Sequence, residues 1–197
     1  MMEKIMPRVK LFDKDDVLEK AMLLFWNKGY HATSIQDLVN ALGINRGSLY
    51  DTFGGKKNLF EQALALYCNQ NIKITREFLQ SEKSVKTALK KLFQVFIDDS
   101  FNDNNNGCFV VNTTTELSCE DDSINTALLM NKDNFEAMFL ECLKKGQKSG
   151  EISQNKDIKS LSYMIYVLFS GIRVVARLEK DNQRLHKLSN VVLTLLD

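Results

Sequence analysis

Proline is nearly absent from this chain, occurring once in 197 residues, and glycine occurs only nine times. With so few helix breakers and 44% hydrophobic residues, the sequence reads as a helix-rich globular protein. Its length suffices for one well-buried core or two small domains. Long hydrophobic runs are missing too: Tyr163 to Phe169 is among the longest, far short of the roughly 20 residues that span a bilayer. The start MMEKIMPRVKLFDKDD lacks the apolar segment of a secretory leader. A cytoplasmic protein without membrane contact is the expectation. Nor is there an excess of one charge, since 26 Lys and Arg against 25 Asp and Glu leave a formal +1. That excludes a histone-like coat for polyanions, which depends on many cations. Residues 1–60 hold nine basic against seven acidic side chains, so any nucleic-acid partner must be recognised by placement, not by bulk charge.

The residues of catalysis are equally scarce. His31 and His186 are the only histidines and lie 155 positions apart, neither of them in an HExxH pattern. Glycines 43, 47, 54 and 55 do not have the spacing of a P-loop or a GxGxxG turn. Cys68, Cys108, Cys119 and Cys142 are separated by 40, 11 and 23 residues, which fits no zinc or redox pair. In a reducing compartment they are thiols by default. A nucleophile-plus-base arrangement would need Cys108 joined in space to a distant histidine. No enzyme activity, cofactor or metal is expected.

What is present is one informative stretch, TSIQDLVNALGINRGSLYDTFGGKK, from Thr33 to Lys57. Ile35, Leu38, Val39 and Leu42 recur at helical spacing, Gly43-Ile44-Asn45 breaks the pattern, and Leu49 and Phe53 share the face of a second, shorter helix. Thr33 with Gln36, and Ser34 with Asp37, both have the spacing of a capping box. Gly43 can take the positive φ that ends the first helix, and Asn45 can cap the next. This is helix, tight turn, helix. In such a unit the second helix enters the major groove with its first residues at the base edges, and Arg46-Gly47-Ser48 is the small, polar, cationic start that this requires.

The run Gly29-Tyr30, Thr33-Ser34-Ile35, Leu42-Gly43-Ile44, Gly47-Ser48-Leu49-Tyr50, Phe53, Lys56 and Leu59-Phe60 resembles the DNA-binding domain of the TetR family of bacterial transcriptional regulators, over roughly residues 12–60. The resemblance implies an all-α fold, with an N-terminal three-helix DNA-binding domain and a C-terminal helical domain for ligand binding and dimerisation. It implies that Thr33, Tyr50 and Lys56 contact phosphates of double-stranded DNA and that Arg46 and Ser48 sit at the groove. With Asn45 and Gly47 these form the candidate DNA-binding set. His31 is expected at the surface beside the DNA. The family often has His, Arg or Tyr where this chain has Asp51 and Thr52. A carboxylate is repelled by phosphate, so Asp51 is expected to turn away, toward Lys57. A second reading, a helical ligand or redox module with weak or lost DNA binding, rests on the same Asp51.

Three parts follow from this: a flexible arm at 1–12, the DNA-binding domain at 13–55 and the regulatory domain at 56–197. Helix one is expected from the cap Asp13 to Gly29, with Val17, Ala21, Leu24 and Phe25 facing inward. The apolar pattern Leu59, Ala63, Leu66, Tyr67 and Ile74 predicts one long helix from Lys56 to about Gln80. In the family such a helix transmits a shift at its far end to the reading head. Val85, Leu89, Leu92, Phe93, Phe96 and Ile97 make the next helix, ended by the polar loop FNDNNNG at 101–107. Cys108 to Val111 with Thr113, Thr114 and Thr115 has the β-branched content of a strand, yet it is read as helix, because an isolated strand has no partner. A long helix is expected across Asp121 to Gly150.

Residues 158–179 are apolar on two sides: Leu161, Ile165, Leu168 and Ile172 on one, Tyr163, Tyr166, Val167 and Val174 on the other. A helix of this kind is buried twice, once in its own core and once against a partner. With Ser170-Gly171 permitting close approach and Leu185, Leu188, Val192 and Leu195 on the terminal helix, residues 158–197 are expected to form a four-helix homodimer interface. Two reading heads then imply a palindromic operator.

The inducer is expected to be a small molecule or a reactive species. Phe93, Phe96, Phe109, Phe135, Phe139, Tyr163 and Tyr166, with Met130 and Met138, are candidates for an apolar pocket, though the same spacing also describes an ordinary core. Cys108 sits at a helix start, where the helix dipole favours thiolate, and GCFVVNTTTELSCE looks like a branch of the family in which a cysteine after this glycine senses reactive species. Acidic neighbours of Cys119 would raise its pKa and slow it. The competing view of Cys108 is a small buried apolar residue.

Overall fold

The structure is a computed structural model that describes residues 12–102 and 107–196. Residues 1–11 of the flexible arm expected at 1–12 and the centre of the 101–107 loop therefore fall outside the described residues. Within them the chain forms nine helices and no strand: α1 Lys14–Lys28, α2 Ile35–Leu42, α3 Arg46–Phe53, α4 Lys56–Ser81, α5 Val85–Asn102, α6 Phe109–Leu117, α7 Asp122–Ser149, α8 Ile158–Val175 and α9 Gln183–Thr194. The segment after Cys108 is helical, as the lack of a strand partner requires.

The chain divides into two compact units that meet between Ala63 and Leu64, inside α4. The first unit therefore reaches past the expected boundary at 55. Its reason is packing: Leu59, Phe60 and Ala63 are fully buried along with Phe25, Leu38 and Leu49, and Phe25 meets Phe60 edge-on at 5.0 Å.

Local chemistry sets the turns of this unit. Asp13 caps α1 by accepting the Asp15 and Asp16 N–H groups. The capping box of α2 is made by Ser34 and Asp37, whose side chains each accept the other's backbone N–H. Thr33 takes no part in that cap; it is fully buried, and its Oγ1 donates to the Gly29 carbonyl at 2.6 Å. Asp37 also pairs with Lys28 at 2.7 Å, tying α2 to α1. That ion pair, then the Ser34 hydroxyl, holds the Asp37 carboxyl far below the usual carboxylate range. Gly43 ends α2 at φ 66°, the left-handed value that glycine supplies without strain.

In the second unit α7 lies against α8 and α5 against α9. Phe169 is the hub of the core, with its ring centroid 3.5 Å from Phe96, 6.1 Å from Phe93, 5.8 Å from Phe139 and 5.9 Å from Phe135. Glu151, in the turn after α7, reaches back to the start of α5. It accepts the Val85 and Lys86 N–H groups at 2.8 and 2.9 Å and the Ser84 hydroxyl, a long-range addition to the local cap in which Ser84 Oγ accepts the Thr87 N–H at 3.1 Å.

Taken as a whole helix rather than an unbroken run, α8 is long and apolar enough to resemble a membrane span. Lys159, Ser162, Ser170 and Arg173 interrupt the run without interrupting the helix. One face, Ser162, Ile165, Phe169 and Ile172, is buried in the core, with Leu161 and Leu168 packed at its margin. The other face is uncovered: Tyr163, Val167 and Val174 are exposed on α8, as are Leu188, Val191 and Leu195 on and beside α9. The two-sided character expected of 158–197 is thus present in the geometry.

Candidate nucleic-acid interface and effector cleft

Asn45 stands in extended backbone before α3, and its Oδ1 accepts the Ser48 N–H at 2.8 Å. This cap leaves Arg46 and Gly47 exposed at the first turn, with Ser48 half-buried behind them. One turn later Tyr50 is exposed, its ring beside two neighbours. The Arg46 guanidinium lies 5.7 Å from the ring centroid. A Cβ added to Gly55 would stand 3.2 Å from the ring, and Gly55 has φ 109°. Only a residue without a side chain fits both requirements. Lys56 Nζ lies 4.2 Å from the centroid of Tyr30, which itself packs edge-on against Phe60 and His31.

Of the expected DNA-binding residues, Arg46 and Tyr50 are brought together directly, while Lys56 lies against Tyr30. Thr33 does not join them as a free donor, because its hydroxyl hydrogen is committed to Gly29. Asp51 is exposed and does not pair with Lys57, whose carboxylate neighbour is Glu61 at 3.8 Å. The end of α3 at Phe53 and the Gly54-Gly55 turn separate Asp51 from Lys57.

The second unit contains a cleft, open to solvent, between α4, α6, α7 and α8. Of the residues expected to line a pocket, Phe135 and Tyr166 do so. Phe93, Phe96 and Phe139 are instead buried in the core around Phe169, and Met138 joins them. Phe109 is buried edge-on against Tyr67 at 5.6 Å. Tyr163 and Met130 are exposed. Aromatic spacing alone does not separate core from cleft.

The cleft's polar groups are Tyr67, Asn71, Asn131, Ser170 and Arg173. Arg173 donates to the Tyr67 hydroxyl at 3.2 Å, and Tyr67 in turn donates to Cys108 Sγ at 3.7 Å. The guanidinium is stacked 4.0 Å from the Phe96 centroid. Burial pushes the Tyr67 hydroxyl well above the ordinary phenol range, and the neighbouring Cys108 adds to the shift. For Arg173 burial is the largest influence and opposes charge, but its interactions with Cys108 and Tyr67 outweigh it, so the net shift is upward and the group stays cationic. Asn131 is 5% exposed, and its Oδ1 has no hydrogen-bond partner.

The four cysteines are free thiols. Cys108 is buried in the cleft wall just before α6, where it provides no side-chain cap. Burial pushes Cys68 up to about 12 and Cys142 up to about 11, so neither is a ready thiolate. Cys119 is exposed. Among the described residues no group of His, Cys, Asp and Glu is arranged to hold a metal.

Residues 17–63 match the family model described as bacterial regulatory proteins, tetR family, and residues 86–192 match that of the Tetracyclin repressor-like C-terminal domain. Over 190 residues the chain is 33% identical to the HTH-type transcriptional repressor ComR of Escherichia coli (strain K12), covering 95% of this chain and 90% of that one. It is 30% identical over 194 residues to the uncharacterized HTH-type transcriptional regulator YezE of Bacillus subtilis (strain 168), covering 98% and 100%. Among solved structures, a cysteine mutant of the TetR family transcriptional regulator CifR complexed with 26 bp double-strand operator DNA superposes with a TM-score of 0.86. It is 26% identical and covers 97% of this chain and all of that chain, 100%.

Proposed function

Because this chain belongs to the TetR family of bacterial regulatory proteins, we propose that it is a DNA-binding transcriptional repressor. It acts in the cytoplasm as a homodimer on a palindromic operator and releases DNA when a small molecule or reactive species engages the second unit. The observation that carries this reading is the exposed start of α3, Arg46-Gly47-Ser48, offered ahead of a capped turn and beside the fixed ring of Tyr50. Arg46 supplies a bidentate donor for a guanine edge. Tyr50 and Lys56 hold phosphates and set the register. The exposed apolar faces of α8 and α9 supply the dimer contact, four helices in all.

Release is mechanical in this account. Tyr67 and Asn71 belong both to the cleft and to α4, the continuous helix that starts at Lys56. A ligand that moves them acts on the helix carrying a phosphate contact. Cys108 is the alternative trigger: oxidation or alkylation of its sulfur would break the Tyr67 hydrogen bond.

The test is an electrophoretic shift with a duplex that the purified chain selects from a random pool. The parent binds and Arg46→Ala does not discriminate operator from random duplex; equal binding of both duplexes by the parent removes the assignment. Substituting Cys108→Ser separates the triggers, since unchanged release by hypochlorite in that variant rules out sensing at this thiol.

A further inference from the structure

Three features converge on the cleft between α4, α6, α7 and α8. The first is Arg173, a cation set among aromatic rings. Its neighbours are Tyr67, Cys108 and the faces of Phe96 and Phe169, and among the described residues no carboxylate lies within 4.0 Å of it. Arg173 is half-buried, and a charge partly withdrawn from water is ordinarily paired, because desolvation is expensive when uncompensated. The aromatic faces offset part of that expense, and none of these neighbours is a permanent anion.

The second feature is the start of α6. The N-cap residue Cys108 gives this helix no side-chain hydrogen bond, and Val110 and Val111 of its first turn line the same cleft. The N-terminal end of a helix presents N–H groups and positive potential to whatever lies before it. The third is Asn131 Oδ1, a buried acceptor without a donor in the cleft wall. Buried polar atoms in this condition are uncommon and call for a missing partner. Phe135, Tyr166 and the valines supply the apolar remainder. Beyond Val110, Val111 and Tyr166 the cleft continues into a wider groove that also holds Val167 and Val174.

We infer that this cleft is the receptor for a small organic carboxylate with an apolar body and a hydroxyl or amide N–H. Its carboxylate pairs with Arg173 near the start of α6, its donor meets Asn131 Oδ1, and its apolar body lies against Phe135 and Tyr166. The inference rests on the proposal that the second unit receives an effector, and it names the chemical class. A neutral ligand of the same shape leaves Arg173 uncompensated and is rejected accordingly.

The experiment is calorimetric titration of the full chain with a panel of monocarboxylates of about four to eight carbons, straight, hydroxylated and aromatic, each beside its own primary amide. Acids from the panel bind, and the matching amides bind at least about tenfold more weakly. Replacing Arg173→Gln removes that preference, while Arg173→Lys, which keeps the charge, restores part of it. Equal binding of acid and amide by the parent, or no binding by any acid of the panel, overturns the inference without recourse to a variant. Operator retention measured on the same samples keeps the two questions apart. Acid bound without DNA release contradicts the release mechanism and leaves the ligand class standing; absence of DNA binding contradicts the repressor reading, because the titration needs no DNA.

Discussion

The Arg173 guanidinium donates to the Tyr67 hydroxyl at 3.2 Å, joining α8 to α4 across 106 residues of sequence. Tyr67 passes the interaction on to Cys108, so three elements of the second unit meet in one short chain of donors. Replacing Tyr67→Phe leaves the guanidinium without its oxygen acceptor. The expected outcome is a loss of about 1 to 3 kcal/mol in chemical denaturation. An unchanged midpoint and slope would mean that solvent already satisfies Arg173.

At the reading head, Gly55 is the sharpest structural dependence. A Cβ there would meet the Tyr50 ring at 3.2 Å, in a backbone conformation of φ 109°. Gly55→Ala is expected to lower stability by about 1 to 3 kcal/mol through strain and to weaken binding to all duplexes by displacing Tyr50. Melting curves and filter binding, read together, check both parts.

Arg46 and Lys56 are predicted to fail differently. Loss of Arg46 should weaken operator binding by about 1 to 3 kcal/mol and relax the preference for guanine. Loss of Lys56 should weaken operator and random DNA alike and reduce the salt slope by about 0.9. Affinity titrations at several salt concentrations distinguish the two.

Much of this site could be read from the residues, and the misses have physical causes. Gly43 and Asn45 announced the turn because positive φ and side-chain capping are local properties, and both are used as expected. Thr33 and Ser34 both had capping-box spacing; only burial, which depends on the packed unit, assigned the cap to Ser34 and the buried bond to Thr33. Phe93 and Phe139 have the same helical spacing as Phe135, yet they turn into the core, since periodicity gives a face and not what lies opposite it. A signal was available for the polar groups that were missed. Asn131 falls in register between Leu128 and Phe135, and Arg173 follows Phe169 by one turn, so each interrupts an apolar stripe. The division at Ala63 leaves no mark in the sequence, because α4 continues through it without a break in pattern.

Glu151 links acid stability to the start of α5. Burial, the largest single influence, acts to raise its pKa, but the Ser84 hydroxyl and the Lys86 and Val85 N–H groups outweigh it and the carboxyl titrates below its ordinary value. A depressed carboxyl contributes stability above its unfolded pKa of about 4.3 and loses it as pH falls through the folded value. Glu151→Gln is therefore expected to lower stability at neutral pH by about 1 to 2 kcal/mol and to flatten the acid limb of the stability curve. Denaturation midpoints measured from neutral pH downward test the sign.

The exposed faces of α8 and α9 must be covered if the dimer account is right. Val167 and Val191 are both exposed apolar side chains, and a buried unpaired charge in an apolar interface is strongly unfavourable. Val167→Glu is expected to shift the light-scattering mass from two chains to one and to weaken operator binding sharply. A parent that already runs as a single chain at micromolar concentration would contradict the interface.

The central claim, that this chain reads DNA sequence as a dimer, is tested most directly by selecting duplexes from a random pool with the purified full chain at about 0.15 M salt, where phosphate-only binding is weak. The account predicts recovery of a palindrome with guanine at symmetric positions, lost in Arg46→Ala. Recovery of no sequence above background would contradict it, and would leave the second unit as a ligand-binding module attached to a head that Asp51 keeps from DNA.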